Sequence, residues 1–447
     1  MRELALFAGS GFLMLGLNEL LVDLIWFKTC LARFWKKTGF ENRGSDKIGR
    51  FPAIPSQPRL AVFIPAWRES DVIGAMLTTT LSRLHYENYR LYVGCYPNDP
   101  ETIGAVEAVD DPRVRLVVGP RPGGTTKADC LNTIWRAMRE DEARQGYPFA
   151  AVVLHDAEDV VHPDSFAWFG ALIGRYDMIQ LPVVPLIDSR SRWIAGHYAD
   201  EFAESHLKDQ AVRQHVGAAL PSAGVGCAFA RDCLAALAGP GAPGPFDAES
   251  LTEDYELGLK IGRPGRALFL RCRDAEGRLV ATGEHFPAHW RAAIAQKSRW
   301  IAGIALAGWD RLGWRGGVGE RWMRLRDRQP LLVALVTLTG YGVAAAWLLL
   351  QAFGRAEESP LDLPVLAGLA WANALLFAWR LTLRFCFTAS VYGWREGLRA
   401  VPRMLVSTLI LIHAALHATR LYVHMLRSGV TRWHKTSHIF PAELSGR

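Results

Sequence analysis

A chain of 447 residues that is half apolar and only 21% charged is too apolar for one ordinary soluble domain, and implies a globular core joined to membrane segments. Its formal net charge of +7 is gathered beside apolar runs, at Lys28, Arg33, Lys36 and Lys37 and at Arg321, Arg324, Arg326 and Arg328. That is the pattern of cytoplasmic loops next to anionic headgroups and argues against a nucleic-acid surface. The seven cysteines show no C-x-x-C pair and no regular spacing, so they read as reduced, mostly buried thiols on the cytosolic side.

Leu4 to Trp26 is long enough to cross a bilayer, which takes about 20 apolar residues for a hydrocarbon core of ~30 Å. Arg2 is the only n-region charge and no small-residue cleavage site follows, so residues 1–27 read as a transmembrane anchor and not as a cleaved signal peptide. Glu19 and Asp23, four apart, share one helical face, which suits a contact with other helices or the interface better than an intramembrane polar site. Residues 28–58 form a basic cytoplasmic linker, whose later part, from position 41, is polar and rich in Gly and Pro.

From Leu60 the pattern alternates between strand and helix. Leu60–Ile64, Tyr89–Tyr96, Val114–Val118 and Ala150–Leu154 read as strands, and Asp71–Leu84 and Lys127–Met138 as helices. This predicts an α/β domain with a mostly parallel sheet over residues 59–305. Residues 306–329, rich in Trp, Arg and Gly, suit a helix at the membrane surface. Residues 330–386 hold two spans, Leu331–Ala352 and Leu363–Leu383, joined by a segment with Glu357, Glu358 and Asp362 that lies outside by charge. Residues 387–447 form a cytoplasmic or interfacial amphipathic helix and tail. Within Val401–Leu426, Arg403, Ser407, His413, His417, Arg420, His424 and Arg427 make one polar stripe. A lipid-exposed span would not keep such a stripe, so three spans and an in-plane helix are expected, with Arg432 and Lys435 cytoplasmic. The three histidines read as part of the stripe; no acidic or Cys residue joins them as a metal set.

Five segments carry chemistry. His155-Asp156-Ala157-Glu158-Asp159 follows an apolar strand, where an open α/β sheet presents ligands to a crevice, so Asp156 and Glu158 form a candidate divalent-metal pair. An Asp there can also be a turn former or helix cap. Ile64-Pro65-Ala66-Trp67-Arg68-Glu69 and Asn98-Asp99 end adjacent strands, placing Glu69 and Asp99 to accept hydrogen bonds from a base and ribose or to cap helices. Pro122 to Asn132 (PGGTTKADCLN) opens a helix with free N–H groups and Lys127, which suits a diphosphate or is an ordinary N-cap; the Walker A order is not met. Leu251-Thr252-Glu253-Asp254-Tyr255 pairs carboxylates before a helix, as a general base or as caps. Gln296-Lys297-Ser298-Arg299-Trp300 puts Gln296, Arg299 and Trp300 on one helical face, an Arg for a leaving diphosphate and a Trp to stack on a sugar.

In this order these motifs resemble the processive, membrane-bound family 2 glycosyltransferases of the cellulose and hyaluronan synthase type. FIPAWRES, YPNDPET, RPGGTTKADCLN, LHDAEDV, PSAGVG, SLTEDYELG and QKSRWIAGI are more closely similar to the inner-membrane phage-adsorption glycosyltransferases of enteric bacteria, over nearly the whole chain. The resemblance implies a GT-A type nucleotide-sugar domain inserted between transmembrane helices. It implies Mg²⁺ or Mn²⁺ on Asp156 and Glu158, nucleotide contacts from Glu69, Asp99, Lys127 and Asp156, and Asp254 as the base beside Glu253. Gln296, Arg299 and Trp300 hold the diphosphate and border the acceptor, and Ser222 to Gly226 is the acceptor-side loop.

The expected activity is inverting transfer of a sugar, an N-acetylhexosamine by resemblance, from a UDP-linked donor to a growing exopolysaccharide at the cytoplasmic face of the inner membrane. The alternatives are single addition to a lipid carrier and a catalytically inert component of an envelope or phage-receptor complex. The implied partners are the donor, a polysaccharide or lipid-linked acceptor, membrane lipids and a periplasmic or outer-membrane export partner, with no nucleic acid. The sequence departs from the family in two ways. Glu158 stands where a second Asp is usual, which keeps an oxygen ligand on a longer arm and leaves Asp159 as a reserve ligand or cap. Relatives can carry a C-terminal regulatory extension, whereas this sequence ends at Arg447, so control of that kind is expected to come from a partner.

Overall fold

The structure is a computed structural model that describes residues 1–35, 57–239, 241–354, 363–428 and 440–441. Most of the expected linker, the acidic segment with Glu357, Glu358 and Asp362, and the basic pair Arg432 and Lys435 lie outside the described residues.

The apolar runs read as strands are strands: β1 (Leu60–Pro65), β2 (Tyr89–Cys95), β3 (Val114–Val118) and β4 (Ala151–Leu154). β1 and β4 are buried along their whole length, as expected for parallel strands covered on both faces. Alternation divides their side chains between two cores. Leu60, Val62 and Ile64 join the helix Ile73–Arg83 on one face, and Ala61 and Phe63 join Ile134, Trp135 and Met138 of the helix Lys127–Gln145 on the other.

β5 (Met178–Gln180), β7 (Cys227–Ala230) and β8 (Ala267–Phe269) complete a seven-stranded sheet of order β3-β2-β1-β4-β7-β5-β8, while β6 (Val183–Leu186) pairs elsewhere. Only β7 runs against its neighbours, so the sheet is mostly parallel. The tips of β1, β2 and β4 therefore open on one edge, where the loops after Pro65, Cys95 and Leu154 converge. β6 pairs in parallel with β9 (Thr282–His285), and the bridge between Val160 and Gly283 ties this two-stranded sheet to the loop after β4.

Among the described residues, four helices are long and apolar enough to cross a membrane: Arg2–Ala32, Pro330–Ala352, Pro364–Tyr392 and Trp394–Ser428. The first continues beyond Trp26 to Trp35. Its polar face is an inter-helix contact, with Arg326 Nη2 donating to Glu19 at 3.0 Å and Trp379 Nε1 to Asp23 at 2.9 Å.

The fourth helix folds back on the third at Gly393, whose φ of 87° needs a glycine. Its stripe divides. Arg403 and Ser407 are buried, Arg403 donating to Asp200 at 2.7 Å and Ser407 accepting from Arg384 at 2.9 Å, whereas His413, His417 and His424 are exposed. Further along, Leu411, Ile412 and Ala415 meet Leu331 and Ala334 in the opening turns of Pro330–Ala352. Ala414 and Ala418 meet Ile301, Ala302 and Ala305, and Tyr422 hydrogen-bonds Asp310.

Candidate active site

The loops at the sheet edge enclose an open cleft with an empty volume, mouth included, of about 1150 Å³. Glu69, Lys127, Asp156, Glu158, Glu253, Asp254, Gln296, Arg299 and Trp300 all line it. Nine of the ten residues singled out from the motifs thus share one cavity.

The tenth, Asp99, is buried behind the loop after β1. It accepts from the Arg68 amide at 2.5 Å and from Thr102 N at 3.5 Å, so it caps the helix Pro100–Glu107 and holds the turn that presents Glu69. Arg68 sits at a φ of 57°, a strained conformation for a side-chain-bearing residue, which that bond helps to hold.

Thr126 caps Lys127–Gln145, accepting from Asp129 N at 3.3 Å, and this places Lys127 on the first turn with Nζ 2.5 Å from Asp156 Oδ1. The preceding loop lies against Trp67 so closely that a methyl group on Gly123 would collide with the indole, and Gly123 N donates to Asn98 at 2.6 Å. Asp159 does not line the cleft. It accepts from His155 Nδ1 at 2.7 Å and from Asp156 N at 3.1 Å, both fully packed, so it shapes the turn that turns Asp156 outward. Burial holds His155 neutral, its pKa lowered to about 3.

Asp254 sits in the first turn of the helix Glu253–Ile261, against the loop Ser222 to Gly226, of which Ala223 and Val225 also line the cleft. Gly224 has a φ of 78°, and a Cβ there would collide with Asp254 Oδ2. Gly258 lies equally close to Ser222 N, and Gly303, just after Trp300, to Thr252. The three glycines let the loop Ser222 to Gly226, the helix of Asp254 and the segment after the helix Trp290–Trp300 approach closely. Lys297, inside the last of these, is held by Glu201 at 2.6 and 2.7 Å.

Acids dominate the electrostatics. Six carboxylates line the cleft, Glu69, Asp156, Glu158, Glu253, Asp254 and Glu284, against two cations, Lys127 and Arg299. Burial, with Asp254 as the next contributor, pushes Glu253 up to about 8. Burial also raises Asp254, with Lys127 opposing, and raises Glu284 well above the usual range, helped by Asp159 and Asp156. Burial alone would lower Lys127, but Asp156, Glu253 and Asp254 outweigh it and hold it well above its ordinary value. Two buried polar atoms facing this region, Thr252 Oγ1 and Gln296 Oε1, have no hydrogen-bond partner among the described residues.

Reading the sequence missed Glu284, Phe202 and Phe286. Phe202 and Phe286 lie 4.9 Å apart between ring centres, Tyr198 stacks on Phe286 at 4.7 Å, and Trp300 closes the group at 6.2 Å from Phe286. The available signal was alternation: Glu284 and Phe286 share one side of an extended strand, with His285 turned to Leu186 O.

A mostly parallel sheet with one reversed strand, carrying paired acids at its strand tips and Q-x-x-R-W on a flanking helix, defines a nucleotide-sugar glycosyltransferase domain. The model of the glycosyltransferase-like family 2 matches residues 58–303, and the chain belongs to that family. It is 34% identical to bacteriophage adsorption protein B of Escherichia coli strain K12 and, at the same identity, to bacteriophage N4 adsorption protein B of Escherichia coli O157:H7. Each match covers 96% of this chain and 60% of the relative, so the chain spans about three fifths of the length of those proteins. The resemblance read from the motifs is thus borne out. Among solved structures, the mannosyltransferase PcManGT of Pyrobaculum calidifontis, in complex with GDP-Man and Mn²⁺, superposes with a TM-score of 0.54 at 18% identity, over 93% of this chain and 99% of that one. At that identity the likeness speaks for the fold alone.

Proposed function

We propose that the protein is an inverting glycosyltransferase that moves a hexosyl group, an N-acetylhexosamine, from a UDP-sugar to a growing exopolysaccharide at the cytoplasmic face of the inner membrane. The observation that carries this is the convergence of Lys127, Asp156, Glu158, Glu253, Asp254, Gln296, Arg299 and Trp300 on one cleft.

A divalent cation fits the residues present. Asp156 and Glu158 offer oxygen ligands on one wall, and the cleft holds more buried acid than its two cations offset. Among the described residues no group of three or more His, Cys, Asp or Glu is placed to hold an ion, so a cation here would rest on two carboxylates and the diphosphate, which suits Mg²⁺ or Mn²⁺. When bound, such an ion would screen the charge of the departing diphosphate.

The chain supplies the rest. Lys127 and Arg299 face the same diphosphate, and Gln296 Oε1, buried without a partner among the described residues, is available to a ligand donor. Asp254 takes the proton from the acceptor hydroxyl as that oxygen attacks the anomeric carbon from the side opposite the diphosphate. Burial serves this role, because a carboxylate with a raised pKa is the stronger base. Trp300 and the adjoining aromatic rings offer an apolar face to the acceptor sugar.

The packing of Trp394–Ser428 supports an in-plane helix. Its partners are the opening turns of Pro330–Ala352, the closing turns of Pro364–Tyr392 and the segment from Trp290 to Asp310. All of these lie at the catalytic-domain end of the helical bundle. The acceptor end of the cleft then sits at the membrane surface, close to a polymer leaving through the envelope with an export partner.

The test is purified protein with Mg²⁺ or Mn²⁺ and a panel of nucleotide sugars, read as released nucleoside diphosphate and as product mass. One UDP-sugar should be turned over into a ladder of products. A single-sugar product would point to addition on a lipid carrier, and no turnover to an inert component. Equal release by wild type and Asp254→Asn would sink the assignment of the base.

A further inference from the structure

Glu284 is a half-buried acid in the cleft that the mechanism above leaves unused. It projects from β9 into the cavity, and among the described residues its carboxylate has no hydrogen-bond or ion-pair partner. A carboxylate on a cleft wall with no protein partner has its lone pairs open to a donor that a ligand brings in. The strand that carries it is fixed: Val160 N donates to Gly283 O at 2.8 Å and Gly283 N to Val160 O at 2.9 Å, which locks β9 to the turn presenting Asp156 and Glu158. Glu284 therefore stands beside the diphosphate end of the cleft. The charges of Asp159, Asp156, Lys127 and Asp254 all reach it, so it stands near both the candidate metal acids and the proposed base. The group that lies between a diphosphate and the base is the sugar being transferred.

The neighbouring residue on the same side of the strand is Phe286, stacked on Tyr198 and close to Phe202 and Trp300. An acid and an aromatic ring two residues apart match the two sides of a pyranose, whose hydroxyls donate and whose axial C–H groups prefer an apolar face. The other available roles are filled or excluded. Glu253 and Asp254 occupy the wall of the base, and no third metal-binding group is assembled among the described residues.

We propose that Glu284 reads the donor sugar, its carboxylate accepting a hydrogen bond from a ring hydroxyl of the hexosyl group while Phe286 lies against the sugar's C–H face. This rests on the glycosyl-transfer reading above and adds a specificity determinant to it. Once a bound sugar shields the cleft wall from water, a donor that lacks the matching hydroxyl leaves the acid unsatisfied and is rejected.

The experiment compares wild type, Glu284→Gln and Glu284→Asp on the best nucleotide sugar of the panel and on its monodeoxy analogues, with UDP binding measured in Mg²⁺ for each protein. Glu284→Gln should lower kcat/KM on the best donor by roughly ten- to a hundredfold, the range for a lost hydrogen bond to a charged group, and leave UDP affinity within twofold. One deoxy analogue should be turned over equally by wild type and variant, since it lacks the hydroxyl that Glu284 would hold. Unchanged UDP binding also certifies the fold, and if Glu284→Gln does not fold, Glu284→Asp should show the same pattern with a smaller loss. An unchanged kcat/KM, a parallel fall in UDP affinity, or the absence of any equalising analogue would overturn the proposal. A wild type that turns over no nucleotide sugar overturns the underlying reading as well, whereas failure confined to the Glu284 variants leaves that reading intact.

Discussion

Two clusters of buried charge lie in this protein, and they are built on opposite rules. Where the first helix, the turn from Ser205 to Asp209 and the third long helix meet, Lys208 bonds Asp23 and Glu204 at 2.6 Å each, Arg380 bonds Glu204 at 3.0 Å and Arg326 bonds Glu19 at 3.0 Å. In the cleft, Glu253, Asp254 and Glu284 have no cation within bonding distance among the described residues, and Lys127 serves Asp156. Two glutamates, Glu204 buried and Glu253 half-buried, show the outcome. Burial would raise Glu204, but Arg380 and Lys208 outweigh it and bring it down to about 2, whereas Glu253 rises to about 8. Paired charge ties the long apolar helices to the catalytic domain; charge left unpaired on a cleft wall marks where a ligand completes the set.

The sharpest way to break this contrast is to remove one member of each cluster. Asp254→Asn keeps the shape and removes the proposed base, so kcat should fall by about 10²- to 10⁴-fold with the melting temperature held or raised, measured by diphosphate release and thermal unfolding. Lys208→Met should do the reverse. It leaves Asp23 and Glu204 buried beside a lost partner, costing about 3–5 kcal/mol of stability by denaturant titration, while turnover per folded molecule stays near wild type. Gly224→Ala should be milder. The left-handed φ of 78° costs about 1–2 kcal/mol with a Cβ, and the contact with Asp254 should shift the base and lower kcat by roughly tenfold.

The smallest effect is a pH dependence in protein stripped of divalent cations. Glu253 rises from an ordinary 4.5 to about 8, so between those values the folded state keeps a proton that the unfolded state has released. Stability from this group is therefore greatest at low pH and is lost as pH rises toward 8. Wild type should melt at lower temperature at pH 8 than at pH 6, and Glu253→Gln should flatten that difference. An equal slope in both would show that Glu253 is already satisfied.

Much of this was legible from residue order. The strands after Leu60 are continuous apolar runs, which parallel strands buried on both faces require, and Thr126 and Gly146 bracket the helix that begins at Lys127. The motif acids followed, because an acid after such a run lies at a strand tip. What stayed hidden depended on long-range packing. Asp99 reads equally well as a ribose contact or a cap; its bond to Thr102 N is a cap, and its bond to Arg68 N depends on how the loop after β1 folds back on it. Glu284 belongs to a strand of four residues whose alternation is too short to say which side meets the cleft, since its place is set by Val160, far away in sequence. The stripe on the last helix looked uniform, yet Arg403 and Ser407 are buried by catalytic-domain and helix contacts that periodicity cannot specify.

The most direct test of the contrast is UDP binding by calorimetry, with and without Mg²⁺ or Mn²⁺, in wild type and Asp156→Asn. If the cleft acids await a cation and a diphosphate, wild type will bind UDP at least tenfold more tightly with the ion, and Asp156→Asn will lose that gain. UDP binding that is equally tight without any divalent ion, or a gain that survives in Asp156→Asn, would contradict it.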